Sequence, residues 1–376
     1  MKVVHIYYIW LNLFLKMSIK FILFYILTLL SLSVQAQVQK ENTLDPYGYV
    51  TKYDTLFNGI GPKVYILPFP RTLAEEMTDT YKEIAHFQDS IDQGLQYFRL
   101  FSTFKKTSNY THIADMVEKN RTAQEYIPLL QQHSSQNILS YALYNEQAAQ
   151  YVVEQNYQAA AEALHAALSR AQTQKQAEDV AIIQSNLASL YLLQGRYHEA
   201  ADLEKNYLKY AEGKKDLAAQ AASHTRIALI QAYDKDFRAA ENTIIRKALP
   251  LFNKSKYYSG KIDGWIILAE IYRNQNKHTE AQWFLIQAKD LANEKNYAEK
   301  LPMIEYMLGS SKMIQSNYRV AKQELEKAWD LAESSPNKYL QLAIAEQLGR
   351  AHVNLNNFVE AENYLQKYWN LRKDLF

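Results

Sequence analysis

The sequence contains no cysteine and few of the residues that build turns. Among its 376 residues there are 10 glycines and 8 prolines. Without cysteine the chain can form no disulfide, no cysteine metal site and no thiol nucleophile. Scarce glycine and proline favour long helices joined by short connections over a strand-rich fold.

The chain also lacks an excess of either charge. Its 42 basic and 40 acidic side chains give a formal net charge of +2. Three of the lysines fall in the first 36 residues, which hold no acid, so the remainder carries −1. Domains that bind nucleic acid usually carry a basic surface. We therefore expect no nucleic-acid partner.

Two apolar runs, residues 3–15 and 21–34, dominate the N-terminus. From Met17 onward the order is a lysine, an apolar stretch and the small-residue site Val34-Gln35-Ala36, which is the layout of a secretory signal peptide. We expect residues 1–36 to be a cleaved signal, with the true start possible at Met17, and the protein to be exported to the periplasm. The alternative is an uncleaved anchor in the inner membrane.

The rest of the chain contains a repeat of about 40 residues. A small residue recurs at positions 148, 188, 228, 269, 309 and 349. Nine positions later comes an aromatic residue in five copies and His278 in the other, and three residues after that an alanine in all six. Small residues let two helices approach closely, and glycine in a helix costs about 1 kcal/mol. Gly309 and Gly349 therefore need a packing reason. The six alanines are Ala160, Ala200, Ala240, Ala281, Ala321 and Ala361.

This spacing resembles the tetratricopeptide repeat (TPR), a pair of antiparallel helices. Leu308-Gly309, Tyr318, Ala321 and Leu325 follow that family's pattern. So do Leu268-Ala269, Tyr272, Ala281 and Leu285. The resemblance covers residues 141–376, but the period is 40 rather than about 34, which lengthens each helix by nearly one turn. Similar long-helix variants occur in bacterial regulators that sense peptides or partner proteins.

The resemblance implies an all-α fold, a right-handed α-solenoid of six TPR-like helical hairpins with a divergent N-terminal helical cap. We place the six repeats at residues 136–376, the cap at 75–135 and an extended lead-in at 37–74. The lead-in includes the strand-like stretch KVYIL, residues 63–67.

No motif indicates catalysis, a metal or a cofactor. His198-Glu199 lacks the second histidine of a zinc-protease motif, and Gly59-Ile60-Gly61 lacks the spacing of a phosphate loop. His165, His224 and His352 fall at ordinary helical positions. We therefore predict no catalytic, metal or cofactor-binding residues and a protein that is not an enzyme, while an enzyme remains an alternative that a bound metal or cofactor would reveal.

In the TPR family the first helix of each pair lines a concave groove that binds a peptide or a helix. Counted from the small residue, the inward positions predict a polar groove of mixed charge with a protein or peptide partner. Its residues are Asn145, Ser185, Ser189, Thr225, Tyr233, Glu270, Arg273, Asn274, Tyr306, Ser310, Glu346, Arg350 and Asn354.

The last helix predicts a second contact surface. Tyr368, Trp369, Leu371, Leu375 and Phe376 would leave an apolar end on the array, whereas solenoids usually end in a polar cap. We expect self-association or docking there. The function expected overall is non-enzymatic protein or peptide binding by an exported protein. The alternative is the sensory region of a split or truncated membrane receptor.

Overall fold

The computed structural model describes residues 50–54, 63–67, 70–102, 104–119, 122–133, 135 and 137–376. The predicted signal peptide, residues 1–36, lies outside these residues. The chain divides into two compact units, residues 1–72 and 73–376. In the first, strands β1 (Val50–Asp54) and β2 (Lys63–Leu67) pair antiparallel, with Val50 opposite Leu67.

In the second unit the described elements are all helices. It begins with four helices: α1 (Leu73–Ile84), α2 (Gln88–Ser102), α3 (Tyr110–Lys119) and α4 (Tyr126–Gln132). Among the described residues, no helix is both long and apolar enough to cross a membrane.

Six helix pairs follow, and we name them repeats 1 to 6, each with an inner and then an outer helix. The inner helices are Asn137–Val153, Ala177–Leu193, Leu217–Tyr233, Tyr258–Asn274, Leu301–Ile314 and Lys338–Asn354. The outer helices are Tyr157–Thr173, Tyr197–Gly213, Phe237–Ser255 (with a π-helical stretch at Ile244–Ala248), His278–Glu294, Tyr318–Ala332 and Phe358–Leu375. The predicted all-α solenoid of TPR-like hairpins is confirmed.

The repeat pattern explains where each pair turns. Every outer helix begins at the aromatic residue of the repeat pattern or, in repeat 4, at His278. The alanine three positions later is completely buried in all six copies. The connecting turn contains one residue with a left-handed backbone, such as Gly195 at φ 73° and Lys235 at φ 65°. This geometry lets the next amide bond back to the inner helix, as Arg196 N–H does to the Tyr191 carbonyl at 2.8 Å.

The two helical glycines have different packing reasons. A side chain at Gly309 would lie 2.6 Å from Cγ of Leu325 on the outer helix of its own repeat, which is the close approach that the pattern predicts. At Gly349 the space is instead filled by the ring of Tyr81 from α1. Tyr81 is buried, and its hydroxyl donates a hydrogen bond of 2.9 Å to the Ala361 carbonyl.

The N-terminal helices of this unit do more than cover one end of the array. Helices α3 and α4 pack against the inner helix of repeat 1, as a cap would. Helix α2 instead runs inside the solenoid, where it contacts the inner helices of repeats 2 and 6, and α1 packs on both helices of repeat 6. The inner helices therefore wrap around a segment of the same chain.

Candidate functional site

The thirteen predicted groove residues fall into three groups along the inner helices. The first group lies in repeats 1 to 3, the second around a cavity in repeats 3 to 5, and the third in repeat 6. The groove that these groups face is partly filled, because α1, α2 and the connection after α2 lie in it.

In repeats 1 and 2 the groove holds a non-helical stretch of the chain, Phe104–Asn109, which we call the internal segment; it ends in a turn where the Tyr110 amide donates to the Thr107 carbonyl at 3.0 Å. The Lys105 amide donates to Oδ1 of Asn186 at 2.7 Å. The Lys105 carbonyl accepts from Nδ2 of Asn186 at 2.8 Å and from Nδ2 of Asn145 at 3.1 Å. The two asparagines also bond each other at 2.9 Å, and both are completely buried. Together they satisfy both backbone polar groups of one residue, whatever its side chain.

The Lys105 side chain enters a partly charged pocket beside the outer helix of repeat 2. Its ammonium nitrogen lies 3.4 Å from the ring centroid of Tyr207, an arrangement that attracts a cation to the aromatic face. Burial, together with the nearby Arg226, lowers the pKa of Lys105 to about 7, while Glu204 and Asp216 oppose that shift.

The predicted residues Ser185 and Ser189 bond the charged side chains beside this pocket. Arg226 pairs with Glu204 at 3.1 Å and donates at 2.7 Å to the Ser185 carbonyl and also to Oγ of Ser189. Oγ of Ser185 donates to Glu204 at 3.2 Å. Thr225 bonds within its own helix, to the Ala221 carbonyl. Ser185, Ser189 and Thr225 therefore satisfy groups of the protein itself.

The remaining internal segment is bound through side chains. Lys106 forms an ion pair with the buried carboxylate of Glu146. Asp179, which is completely buried, accepts from the amide and the hydroxyl of Ser108, each at 2.7 Å, and from the Tyr141 hydroxyl at 2.6 Å. Burial is the main reason, and the bond to Asp179 the second, that the pKa of Tyr141 is raised to about 12.

A cavity of about 520 Å³ remains between α2 and the inner helices of repeats 3 to 5. Arg99 from α2 forms an ion pair of 2.7 Å with Glu270, and Arg273 donates to Oγ of Ser310 at 2.7 Å. Burial raises the pKa of Asp92, which also lines the cavity. Of the thirteen predicted residues, the cavity wall contains Tyr233, Glu270, Arg273, Asn274 and Tyr306.

The third group lies opposite α1. Glu346 is buried and is paired with Arg350, and it accepts a bond of 2.6 Å from Gln347. Burial raises the pKa of Glu346 despite the favourable charge of Arg350. Asn354 is exposed and bonds the carbonyl of Arg350 in its own helix.

Several residues that form this site escaped the sequence analysis. Asn186 follows the predicted Ser185, and it contacts Asn145 although the two lie 41 positions apart, one more than the period. Asp179 and Arg99 were missed as well. An available indication was a polar residue within an apolar run, as Asn186 is in SNLASL. The internal segment carries no comparable pattern.

The apolar C-terminal helix is partly covered. Tyr368 is buried, Leu371 and Leu375 are half-buried, and Phe376 packs edge-on against Tyr339 at 6.1 Å between ring centroids. Trp369 and Phe376 remain 43% and 61% exposed. Among the described residues, no group of histidine and acidic side chains could hold a metal ion.

Comparison with known proteins supports the fold. No family model and no curated protein sequence matches the chain. The crystal structure of apo RapI aligns with 76% of this chain and 98% of its own, with 14% identity and a TM-score of 0.51. Aspartyl phosphate phosphatase F from Bacillus subtilis aligns with 78% of this chain and 75% of its own, with 14% identity and a TM-score of 0.51.

A further similar structure is BtubC (BKLC) from P. vanneervenii, at 18% identity and a TM-score of 0.39, covering 72% of this chain and 92% of its own. The likenesses to RapI and to phosphatase F concern the fold, and they agree with the repeat spacing and with the six helix pairs. The chain is a TPR-type helical repeat protein in fold, with part of its own N-terminal region lying in the groove.

Proposed function

We infer that the protein is a non-enzymatic binding protein whose groove in repeats 1 and 2 takes an extended peptide or an extended segment of a partner protein. The observation that carries this inference is the pair of buried side chains, Asn145 and Asn186, that hold both polar groups of the Lys105 backbone. Amide side chains of this kind bind an extended backbone without regard to its sequence. A buried polar pair left unsatisfied would be costly, so a partner that displaces Lys105 must present a backbone amide and carbonyl in its place.

Binding can be tested by selecting peptides from a random displayed library on the full chain. We expect enriched peptides to bind saturably and to lose at least tenfold in affinity on the Asn145→Ala/Asn186→Ala double variant. Asn293→Ala, which removes an exposed asparagine at the end of the repeat 4 outer helix, is the matched control. Equal binding to the double variant, or no enrichment at all, would overturn the proposal.

Export is part of the proposal and is supported by the arrangement of residues 17–36. The expected result is a mature protein in the periplasmic fraction whose N-terminus is Gln37, read by mass spectrometry. An intact N-terminus in the membrane fraction would favour the anchored alternative.

The sensory role is the second candidate, and the apolar C-terminal helix favours it. In a split receptor, the exposed ring of Trp369 would contact another copy or a second subunit. Sedimentation of the full chain and of the Trp369→Ala variant tests self-association through this ring. A dimer that the substitution dissociates would support it, and a monomer in both cases would contradict it.

A further inference from the structure

The internal segment is an imperfect ligand for the pocket that holds its first lysine. Glu204, which lies beside that pocket, is completely buried, and its Oε1 atom has no hydrogen-bond partner in the described part of the chain. Its other oxygen is used by Arg226 and Ser185. Lys105 contacts the Tyr207 ring rather than this carboxylate. An unpartnered buried carboxylate oxygen costs free energy, and a longer, multidentate cation at the Lys105 position could satisfy it.

Two further contacts define the chemistry on either side. A basic residue is favoured after Lys105, because Lys106 pairs with Glu146, whose side chain is only 3% exposed. Two positions later, Asp179 receives a hydroxyl and an amide from Ser108. The amide bonds Oδ1 and the hydroxyl bonds Oδ2, which also accepts from the Tyr141 hydroxyl. A serine or threonine therefore supplies one of the two hydrogen bonds to Oδ2, and an alanine would remove it. Thr107, between Lys106 and Ser108, is only 3% exposed, so a small residue is needed there. The groove therefore favours two consecutive basic residues, a small residue and then a hydroxyl-bearing residue.

From this arrangement we propose that the partner contributes a non-helical segment of the form basic–basic–small–Ser/Thr, with arginine preferred at the first position, and that it binds by displacing Phe104–Asn109. This proposal rests on the proposed function, since it assumes that the asparagine pair binds backbone. It adds which side chains the partner carries and that the chain's own segment competes for the site.

The competition follows from the tethering of the internal segment. Helix α2 ends at Ser102 and α3 begins at Tyr110, so the segment is held at both ends next to its site. Short tethers give effective concentrations in the millimolar range. The apparent affinity of an external peptide is then reduced by the fraction of molecules with an open site, and weakening the internal segment should restore it.

The test uses fluorescence anisotropy with a labelled ten-residue peptide that has the sequence of residues 102–111. Its receptors are the wild-type full chain and the Lys105→Ala/Lys106→Ala variant, in which the groove is unchanged but the internal segment has lost both basic side chains. We expect this variant to bind the peptide at least tenfold more tightly than the wild type. The matched control is Lys214→Ala/Lys215→Ala, which removes an exposed lysine pair at the turn after repeat 2 and should bind as the wild type does.

Peptide analogues test the specificity. A peptide with Lys105→Arg should bind the Lys105→Ala/Lys106→Ala variant several-fold more tightly than the parent peptide, and one with both lysines replaced by alanine at least tenfold more weakly. Equal affinity of the alanine peptide would overturn the specificity while leaving the proposed function intact. Equal affinity of the peptide for wild type and variant would overturn the displacement.

Two further measurements show whether a negative result comes from a misfolded variant, from failure of this inference or from failure of the proposed function. Circular dichroism establishes that each variant is as helical as the wild type. If peptides from the random library bind through Asn145 and Asn186 but the residue 102–111 peptide binds no receptor, the inference of this subsection fails alone. If the library peptides bind the Asn145→Ala/Asn186→Ala variant as tightly as the wild type, both this inference and the proposed function fail.

Discussion

The contact between α1 and repeat 6 gives the sharpest test of the fold, because it joins residues 280 positions apart. Tyr81 is 3% exposed, its ring occupies the space next to Gly349, and its hydroxyl bonds the Ala361 carbonyl. An added methyl group at Gly349 would meet the ring, with Cε1 at 2.6 Å. The Gly349→Ala substitution must therefore displace Tyr81 or shift the helix.

The magnitude can be estimated from opposing effects. Alanine in place of a helical glycine stabilises by about 1 kcal/mol. Overpacking a tight contact costs roughly 1–3 kcal/mol, and loss of the tyrosine hydrogen bond adds about 0.5–1.5 kcal/mol. We expect Gly349→Ala to lower the free energy of unfolding by ~1–3 kcal/mol. In a Tyr81→Ala background the obstacle is gone, so the same substitution should instead stabilise by about 1 kcal/mol.

The assay is a double-mutant cycle by urea denaturation, combined with hydrogen–deuterium exchange of residues 73–84. Exchange there should accelerate in Gly349→Ala and in Tyr81→Ala. The control is Gly213→Ala, where an added methyl group meets nothing within 4 Å and stability should stay level or rise. If Gly349→Ala is equally destabilising with and without the Tyr81 side chain, the glycine is not required for packing of that ring, and the reasoning is wrong.

Two further sets of substitutions test the repeat register and the turn geometry. Ala200→Leu and Ala321→Leu should each lower the free energy of unfolding by roughly 1–3 kcal/mol, because the larger side chain overpacks a helix–helix contact. The control is Ala177→Leu, at an exposed position, which should be near neutral. An unchanged melting temperature in both buried variants would contradict the repeat register. Lys235 has a left-handed backbone with φ 65°, which is unfavourable for a residue with a side chain. Lys235→Gly should therefore stabilise the folded protein by about 0.5–1 kcal/mol. A lower melting temperature would show that contacts of the lysine side chain outweigh the backbone strain.

Much of the solenoid could be predicted because its determinants lie close together in the sequence. Tyr197 and Ala200 belong to one helix turn, and Ala188 lies nine positions earlier on the helix that they pack against. A spacing repeated six times therefore predicts the helix pairs, their turns and the buried faces. The left-handed turn residues were not predicted, since only Gly195 among them is a glycine.

The site was predicted less completely, for a physical reason. Periodicity shows that a residue such as Asn145 lies on an inner helix, but not what lies opposite. The contact of Asn145 and Asn186 with Lys105 depends on where the chain between α2 and α3 runs, and no local pattern encodes that path. The predicted thirteen residues remain a prediction as a partner-binding set.

The sequence by itself determined the repeat, its period, its buried small residues and its polar inner face, because each follows from side chains within one helix pair. Only the tertiary structure decided that the groove is filled by the chain's own helices α1 and α2 and by the internal segment. It also decided that Gly349 is needed for Tyr81 rather than for its own outer helix. Those outcomes depend on complementary surfaces 40 to 280 positions apart in the sequence, which meet only once the inner helices have packed around the segment they enclose.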